Sequence, residues 1–377
     1  MIAKDPALDR RIWMLAWPLL LSNITAPLLG LVDTAVVGHL DSPVYLAAVA
    51  LGSNVFMFLY FSFNFLRMGT TGFTSQARGA GEATLVVLLR ALLLSTLVGS
   101  ALILLRPLLS DVALWLLGGS DEVQGLAREY IGIRILGAPA ALGNFALIGF
   151  AIGLHRTSVP LKMTVLMHSS NVLLDVLLVQ VWHFDVRGVA VASAVSEYLG
   201  LAGGLFWLRR EIFGAAWRAL PVGALKQVAP MLQLLAVNRD IFIRSLALLT
   251  VFFFFTAQGA RLGDTVLAAN AVLITFLLLL SNTLDGFANA AEALVGDATG
   301  RRDRRALDAA VAGTGKWTLI IAAAALLAFV AGGGPLIRLL TDLPGVRDTA
   351  TTYLPWMLLL PLTASAGFWL DGVFVGA

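Results

Sequence analysis

Near-continuous apolar runs of about 20 residues, such as 85–105 and 241–260, alternate along the chain with short polar clusters. At about 1.5 Å per residue, a helix of that length crosses a hydrocarbon layer roughly 30 Å thick. The pattern predicts about ten membrane-spanning helices. They fall at 12–38, 45–67, 84–105, 126–153, 160–181, 188–208, 239–260, 266–296, 307–331 and 350–377. The leading MIAKDPALDRR is short and charged, and no small-residue cleavage site follows the apolar run behind it. Residues 12–38 therefore read as a first span and not as a removed leader. Lys and Arg crowd the loops on the N-terminal side, among them Arg301, Arg302, Arg304 and Arg305, which places the N-terminus in the cytoplasm. The longest connection, 209–238, mixes Arg209, Arg210, Trp217, Arg218, Pro221, Lys226 and Pro230. It reads as an amphipathic linker lying along the headgroups.

Composition agrees with this pattern. Hydrophobic residues make up 59% of the chain and charged residues 13%, with a mean hydropathy of +0.86. A soluble globule needs about a quarter charged residues, so whole-chain readings as a soluble enzyme, a nucleic-acid-binding module or a disordered scaffold are excluded. The pI near 9.4 follows from the loop cations, so no nucleic-acid partner is expected. There is no Cys, the four His show no metal spacing, and no phosphate-binding GxxxxGK[ST] sequence occurs. No resident metal or cofactor is expected.

Ordered matches divide the chain into a repeat. Leu46–Ala50 (LAAVA) returns as Leu267–Ala271 (LAANA), and Gly81 returns as Gly300. Pro139, Gly149 and Gly153 return as Pro361, Gly372 and Gly376. An even number of spans per repeat leaves the halves in one orientation, a plan common among transporters. The predicted fold is an all-α polytopic membrane protein of two pseudo-symmetric six-helix bundles. The first covers 1–208, the linker 209–238, and the second 239–377 with only four helices, the chain reading as short of two. A monomer in the cytoplasmic (inner) membrane is expected.

Charged groups inside a bilayer are costly, so each intramembrane acid is a functional candidate. The candidates are Asp33, Asp175, Glu197, Asp285, Glu292 and Asp371. Asp33, Asp175 and Ser193 fall at one depth, roughly 8–9 Å below the outer ends of their spans. Asn171, one turn before Asp175, shares its helix face. Two carboxylates, an amide and a hydroxyl in low dielectric make a plausible site for H⁺ or Na⁺. Asp285 and Glu292, two turns apart, share a face that could bind an organic cation or relay a proton, and Glu197 could extend the first cluster. Pro18 and Pro27 precede Asp33 and could let its helix bend.

These residues carry a family resemblance. Leu31–Gly38 (LVDTAVVG), Asn171 with Asp175, the segment 285–296 (DGFANAAEALVG) and 371–376 (DGVFVG) resemble the multidrug and toxic compound extrusion (MATE) transporters of the DNA-damage-inducible-protein-F type. The resemblance implies two six-helix bundles around a V-shaped cleft. It implies alternating-access antiport, in which inward H⁺ or Na⁺ drives export of amphipathic, often cationic compounds. It assigns the main coupling role to Asp33, with Asn171, Asp175 and Ser193 completing the cation site. An acid matching Asp371 couples cations in another branch of the family.

Two rivals stand beside this reading. A lipid or lipid-linked oligosaccharide flippase would need cations facing the cleft, where the candidate charges are acids. An intramembrane aspartyl protease would use Asp33 and Asp175 as a dyad, without further support from the sequence. The expectation is a transporter and not an enzyme.

Overall fold

A computed structural model describes residues 5–38, 42–218, 220, 223 and 228–377; for 24–35, 37–38, 215–216, 228–235 and 238 it describes the backbone alone. The described residues are helical, with no strand among them. The helices are α1 (Pro6–Gly38), α2 (Pro43–Phe63), α3 (Phe65–Ala80), α4 (Thr84–Leu104), α5 (Arg106–Leu117), α6 (Asp121–Arg134), α7 (Ala138–Gly153) and α8 (Ser158–Asp175). They continue as α9 (Asp185–Trp207), α10 (Arg209–Phe213), α11 (Ala215–Arg218), α12 (Val228–Arg261), α13 (Asp264–Gly300), α14 (Arg304–Leu340) and α15 (Pro344–Gly376).

Among the described residues, 9 helical segments are long and apolar enough to cross a membrane. Each coincides with a span expected from the sequence. The remaining expected span is α1, whose 33 residues reach about 50 Å. The chain is a polytopic all-α membrane protein.

The differences lie at the ends. Helices α13 and α14 each run for 37 residues, beyond their apolar stretches, because hydropathy marks only the hydrocarbon layer while a helix continues until a cap stops it. Gly81, at φ 73, ends α3. The Asp303 carboxylate accepts from the Ala306 amide at 3.0 Å and opens α14. Helix α12 takes in residues 228–238 of the expected linker. Helix α5 was not foreseen. It follows α4 directly with Trp115 80% exposed, an amphipathic piece too short to span.

Large apolar side chains point outward along the spans, including Phe252–Phe255, as lipid as a solvent permits. The interior is closed by small residues. A Cβ built at Gly149 would strike the Arg67 carbonyl oxygen, and one at Gly372 that of Ala288. Gly153 lies in the same way on Thr71, and Gly376 on Glu292. The α3–α7 contact is thus repeated by α13 and α15. Helices α3 and α13 also meet each other reciprocally, Gly79 on Asp297 and Gly300 on Gln76. These contacts pair Gly79, rather than Gly81, with Gly300.

At one corner α1, α13 and α14 are held by Trp13, whose ring meets Phe287 at 5.3 Å and Trp317 at 5.1 Å. Beside it Lys316 Nζ donates to Asp9 Oδ2 at 2.6 Å and Trp317 Nε1 to Asp9 Oδ1 at 2.8 Å. The Lys316 bond holds the Asp9 carboxyl below the usual carboxylate range. A depressed acid stabilises the fold above its unfolded pKa, about 3.9, and loses that contribution as pH falls below it. Asp9→Asn is therefore expected to lower the melting temperature in detergent at about pH 7 and to leave it unchanged at about pH 2. Equal losses at both pH values would reject the ion pair as the cause.

Candidate functional site

Helices α1 and α8 run parallel, and two bonds set their register. Ser22 Oγ donates to Thr164 Oγ1 at 2.8 Å, a separation of 142 positions. Gln180 Nε2 donates to the Val36 carbonyl at 3.0 Å, a separation of 144. Between these ties Asp33 of α1 stands level with Asp175 and Val176. The side chains of Asp33 and Pro27 lie outside the described residues, and α1 runs helical through Pro18 and Pro27.

Asp175 is 0% exposed. It ends the regular part of α8, and residues 176–181 continue as a π-helical stretch, an irregularity common at functional sites. One turn earlier Asn171, also buried, donates from Nδ2 to Ser193 Oγ of α9 at 3.4 Å. Gly188 lets α9 press against Leu178 and Val179, which brings Ser193 to this level. A carboxylate, an amide and a hydroxyl thus converge from α8 and α9 beside the Asp33 turn of α1. All are oxygen-bearing groups suited to a proton or a hard cation.

Glu197, one turn beyond Ser193, turns to another set of partners. It accepts from the Tyr60 hydroxyl at 3.2 Å, and Asn144 Nδ2 donates to its carbonyl at 2.9 Å. Arg134 enters the interior. Its guanidinium lies 4.7 Å from the Phe56 ring centroid and donates to the Tyr130 hydroxyl at 2.5 Å.

The second-half acids meet cations that the sequence presented only as flanking charges. Asp371 pairs with Arg244 of α12. Arg67 of α3 donates to Asn289 Oδ1 at 2.5 Å and to Asn64 Oδ1 at 3.1 Å. Glu292 is 2% exposed, with its Oε1 buried without a hydrogen-bond partner. Asp285 lies two turns before it on α13, as the spacing required. The Arg244–Asp371 pair borders a cavity of about 410 Å³ walled by Phe73, Ile241 and Val375. Its walls mix these apolar side chains with Gln76, Asp240, Arg244 and Asp371.

A third cluster lies at the face that carries the α1 N-terminus and the 154–157 turn. Asp297 of α13, 5% exposed, faces Arg301 at 2.8 Å, Arg78 at 3.4 Å and Arg11 at 3.5 Å. His155 sits among them at φ 61, a left-handed conformation that a non-glycine residue keeps only when its contacts hold it. Burial and then the Arg78 guanidinium push its pKa down. Sequence reasoning missed this cluster, because loop arginines are read first as topology signals. The only available hint was an acid, Asp297, just inside the end of a span.

An all-helical bundle with lipid-facing apolar sides and ionisable groups inside defines a polytopic membrane protein with a polar interior. The MatE family model matches residues 18–177 and 241–377. The chain is 41% identical to DNA damage-inducible protein F of Escherichia coli (strain K12), over 98% of this chain and 81% of that protein. It is 27% identical to the probable multidrug resistance protein NorM of Synechococcus sp. (strain ATCC 27144 / PCC 6301 / SAUG 1402/1), over 82% of this chain and 68% of that one. It superimposes on a crystal structure of MATE in the bent conformation with a TM-score of 0.86 at 21% identity, covering 100% of this chain and 86% of the other. The outward-facing conformation of a multidrug resistance MATE family transporter of the MOP superfamily gives 0.85 at 21% identity, with 98% and 83% covered. The chain belongs to the MATE family of transporters and is not an enzyme.

Proposed function

We propose that this protein is a secondary antiporter that exports amphipathic or cationic compounds in exchange for H⁺ or Na⁺. The observation that carries the reading is the convergence of buried Asp175, Asn171 and Ser193 at the level of Asp33. In this reading the coupling ion binds there. Its arrival changes the bend or packing of α1, and Pro18 and Pro27 supply the hinge. Glu197, Asp285, Glu292 and Asp371 contribute further coupling or substrate contacts. The halves 1–208 and 239–377 act as two pseudo-symmetric bundles on either side of the substrate path, joined by the connection between them. The N-terminus faces the cytoplasm, the protein works in the inner membrane, and it works as a monomer.

The test is dye uptake into proteoliposomes under a pH gradient or a Na⁺ gradient imposed separately, with Asp33→Asn as control. Uptake driven by one gradient and lost in the variant is expected, and the effective gradient names the ion. Retained gradient-driven uptake in Asp33→Asn would reject this coupling site.

Arg67 and Arg244 favour a second reading, a flippase for lipids or lipid-linked oligosaccharides, since such a protein needs cations on its path. Both guanidiniums are already engaged, by Asn64 and Asn289 and by Asp371. Scrambling of a fluorescent headgroup-labelled lipid without dye transport would shift the assignment to it.

A further inference from the structure

The Asp297 cluster ties parts of the molecule that must separate if this face is to open. Arg11 comes from α1, Arg78 from α3 and His155 from the 154–157 turn, whereas Asp297 belongs to α13 and Arg301 follows directly on its end. Parting α13 from the others would break the Arg11 and Arg78 contacts to Asp297 and the His155 bond to the Ala293 carbonyl, leaving the carboxylate with Arg301 and incoming water.

His155 completes the closure, and its partners dictate its protonation. A guanidinium can only donate and a carbonyl oxygen can only accept. Arg78 Nη1 lies 2.7 Å and Arg11 Nη2 3.1 Å from Nδ1, so Nδ1 must be a bare acceptor. Nε2 lies 3.1 Å from the Ala293 carbonyl of α13, so it carries the proton. The ring is therefore neutral. A second proton would point an N–H at two guanidiniums and add a like charge between them.

We propose that Asp297 and His155 are the gate residues of the transport cycle on this face, and that the gate closes only while His155 is neutral. The inference rests on the alternating-access reading above. Its sign follows from linkage. The closed state disfavours the His155 proton, whereas in the open state the ring titrates near its ordinary value of about 6.5. The open state thus binds more protons, and closure weakens as pH falls through that value. The charged groups facing the ring are Arg11, Arg78 and Asp297; Arg301 pairs with Asp297 behind them, and Arg156, next in the chain, turns away to pair with Glu211.

The test reads gate position and not transport, so its failure is separate from failure of the antiport reading. The chain has no Cys, which leaves single-cysteine variants without background. Ser75 is fully buried where α3, α13 and α15 meet, and Ala83 is exposed on the same face. Ser75→Cys would be labelled with a membrane-impermeant maleimide in vesicles of both orientations, with the rate normalised to Ala83→Cys. Labelling from the N-terminal face is expected to rise severalfold between about pH 8 and about pH 5.5. His155→Gln keeps a neutral acceptor and a donor, and should stay protected at both pH values. His155→Lys and Asp297→Asn should be labelled at both. A wild-type pH response retained in His155→Gln, or Asp297→Asn as protected as the wild type, would overturn the proposal. Should Asp297→Asn fail to fold in detergent, His155→Gln alone still decides.

Discussion

Asp175→Asn is expected to abolish gradient-driven dye flux while leaving the protein folded and inserted. Asn has nearly the shape of Asp, so the packing at this fully buried position is kept. What it loses is the ability to take up and release a proton, or to offer an anionic ligand to a cation. Asn also keeps a hydrogen-bonding carbonyl oxygen at this position, so the melting temperature is expected to change little. A flux loss of more than about tenfold, equivalent to about 1.4 kcal/mol, with unchanged melting is the expected pairing. Equal loss of both would mark Asp175 as a packing residue. Flux near the wild-type value would remove it from the coupling site.

A comparably large effect is expected where α3 crosses α13. A Cβ at Gly79 would meet the Asp297 carbonyl carbon at 2.9 Å and the Arg301 amide at 3.1 Å. At Gly300 it would meet the Gln76 carbonyl carbon at 2.8 Å and the Ala80 amide at 2.9 Å. These neighbours are backbone, which cannot rotate aside as a side chain can, so the helices themselves must part. Gly79→Val is expected to cost on the order of 1–3 kcal/mol through overpacking. It should also expose Ser75→Cys to labelling at all pH values, because the gate beside it can no longer seat. Gly132→Ala is the control. Nothing lies within 4 Å of its Cβ, and Ala is the better helix former by roughly 1 kcal/mol. Unchanged melting and labelling in Gly79→Val would show that the helix contact is looser than the geometry requires.

The proposed gate and the proposed coupling site bear differently on transport. The Asp175, Asn171 and Ser193 group lies toward the far end of α1 and α8, whereas the Asp297 cluster lies at their N-terminal ends. A proton bound at one cannot reach the other through direct contact. Two helices join them: α1, which carries Asp33 near one end and Arg11 near the other, and α8, which starts just after His155 and ends at Asp175. Bending α1 moves both. That gives the expected hinge at Pro18 and Pro27 a measurable consequence: Pro18→Ala should weaken the response of Ser75→Cys labelling to the ion gradient. An unaltered response would leave α1 acting as a rigid rod.

The sequence by itself determined which segments are apolar enough to cross the membrane and which polar residues of α8 share a face. Both are local properties. A run of apolar residues crosses lipid whatever its neighbours do, and Asn171 and Asp175 share a face because four residues make about one helical turn. The family resemblance was legible for the same reason, since its segments are short and contiguous. Tertiary structure alone decided how the ionisable groups pair. Asp371 meets Arg244, Arg67 meets Asn289, Glu197 meets Tyr60, and Asp297 meets Arg11 and Arg78. Each pair joins residues far apart in the chain, and partnership depends on how each helix is rotated and how deeply it is set. Hydropathy reads an arginine in a loop or near a span end as a mark of orientation; only the packing of small residues such as Gly79 and Gly300 brings it against a buried carboxylate.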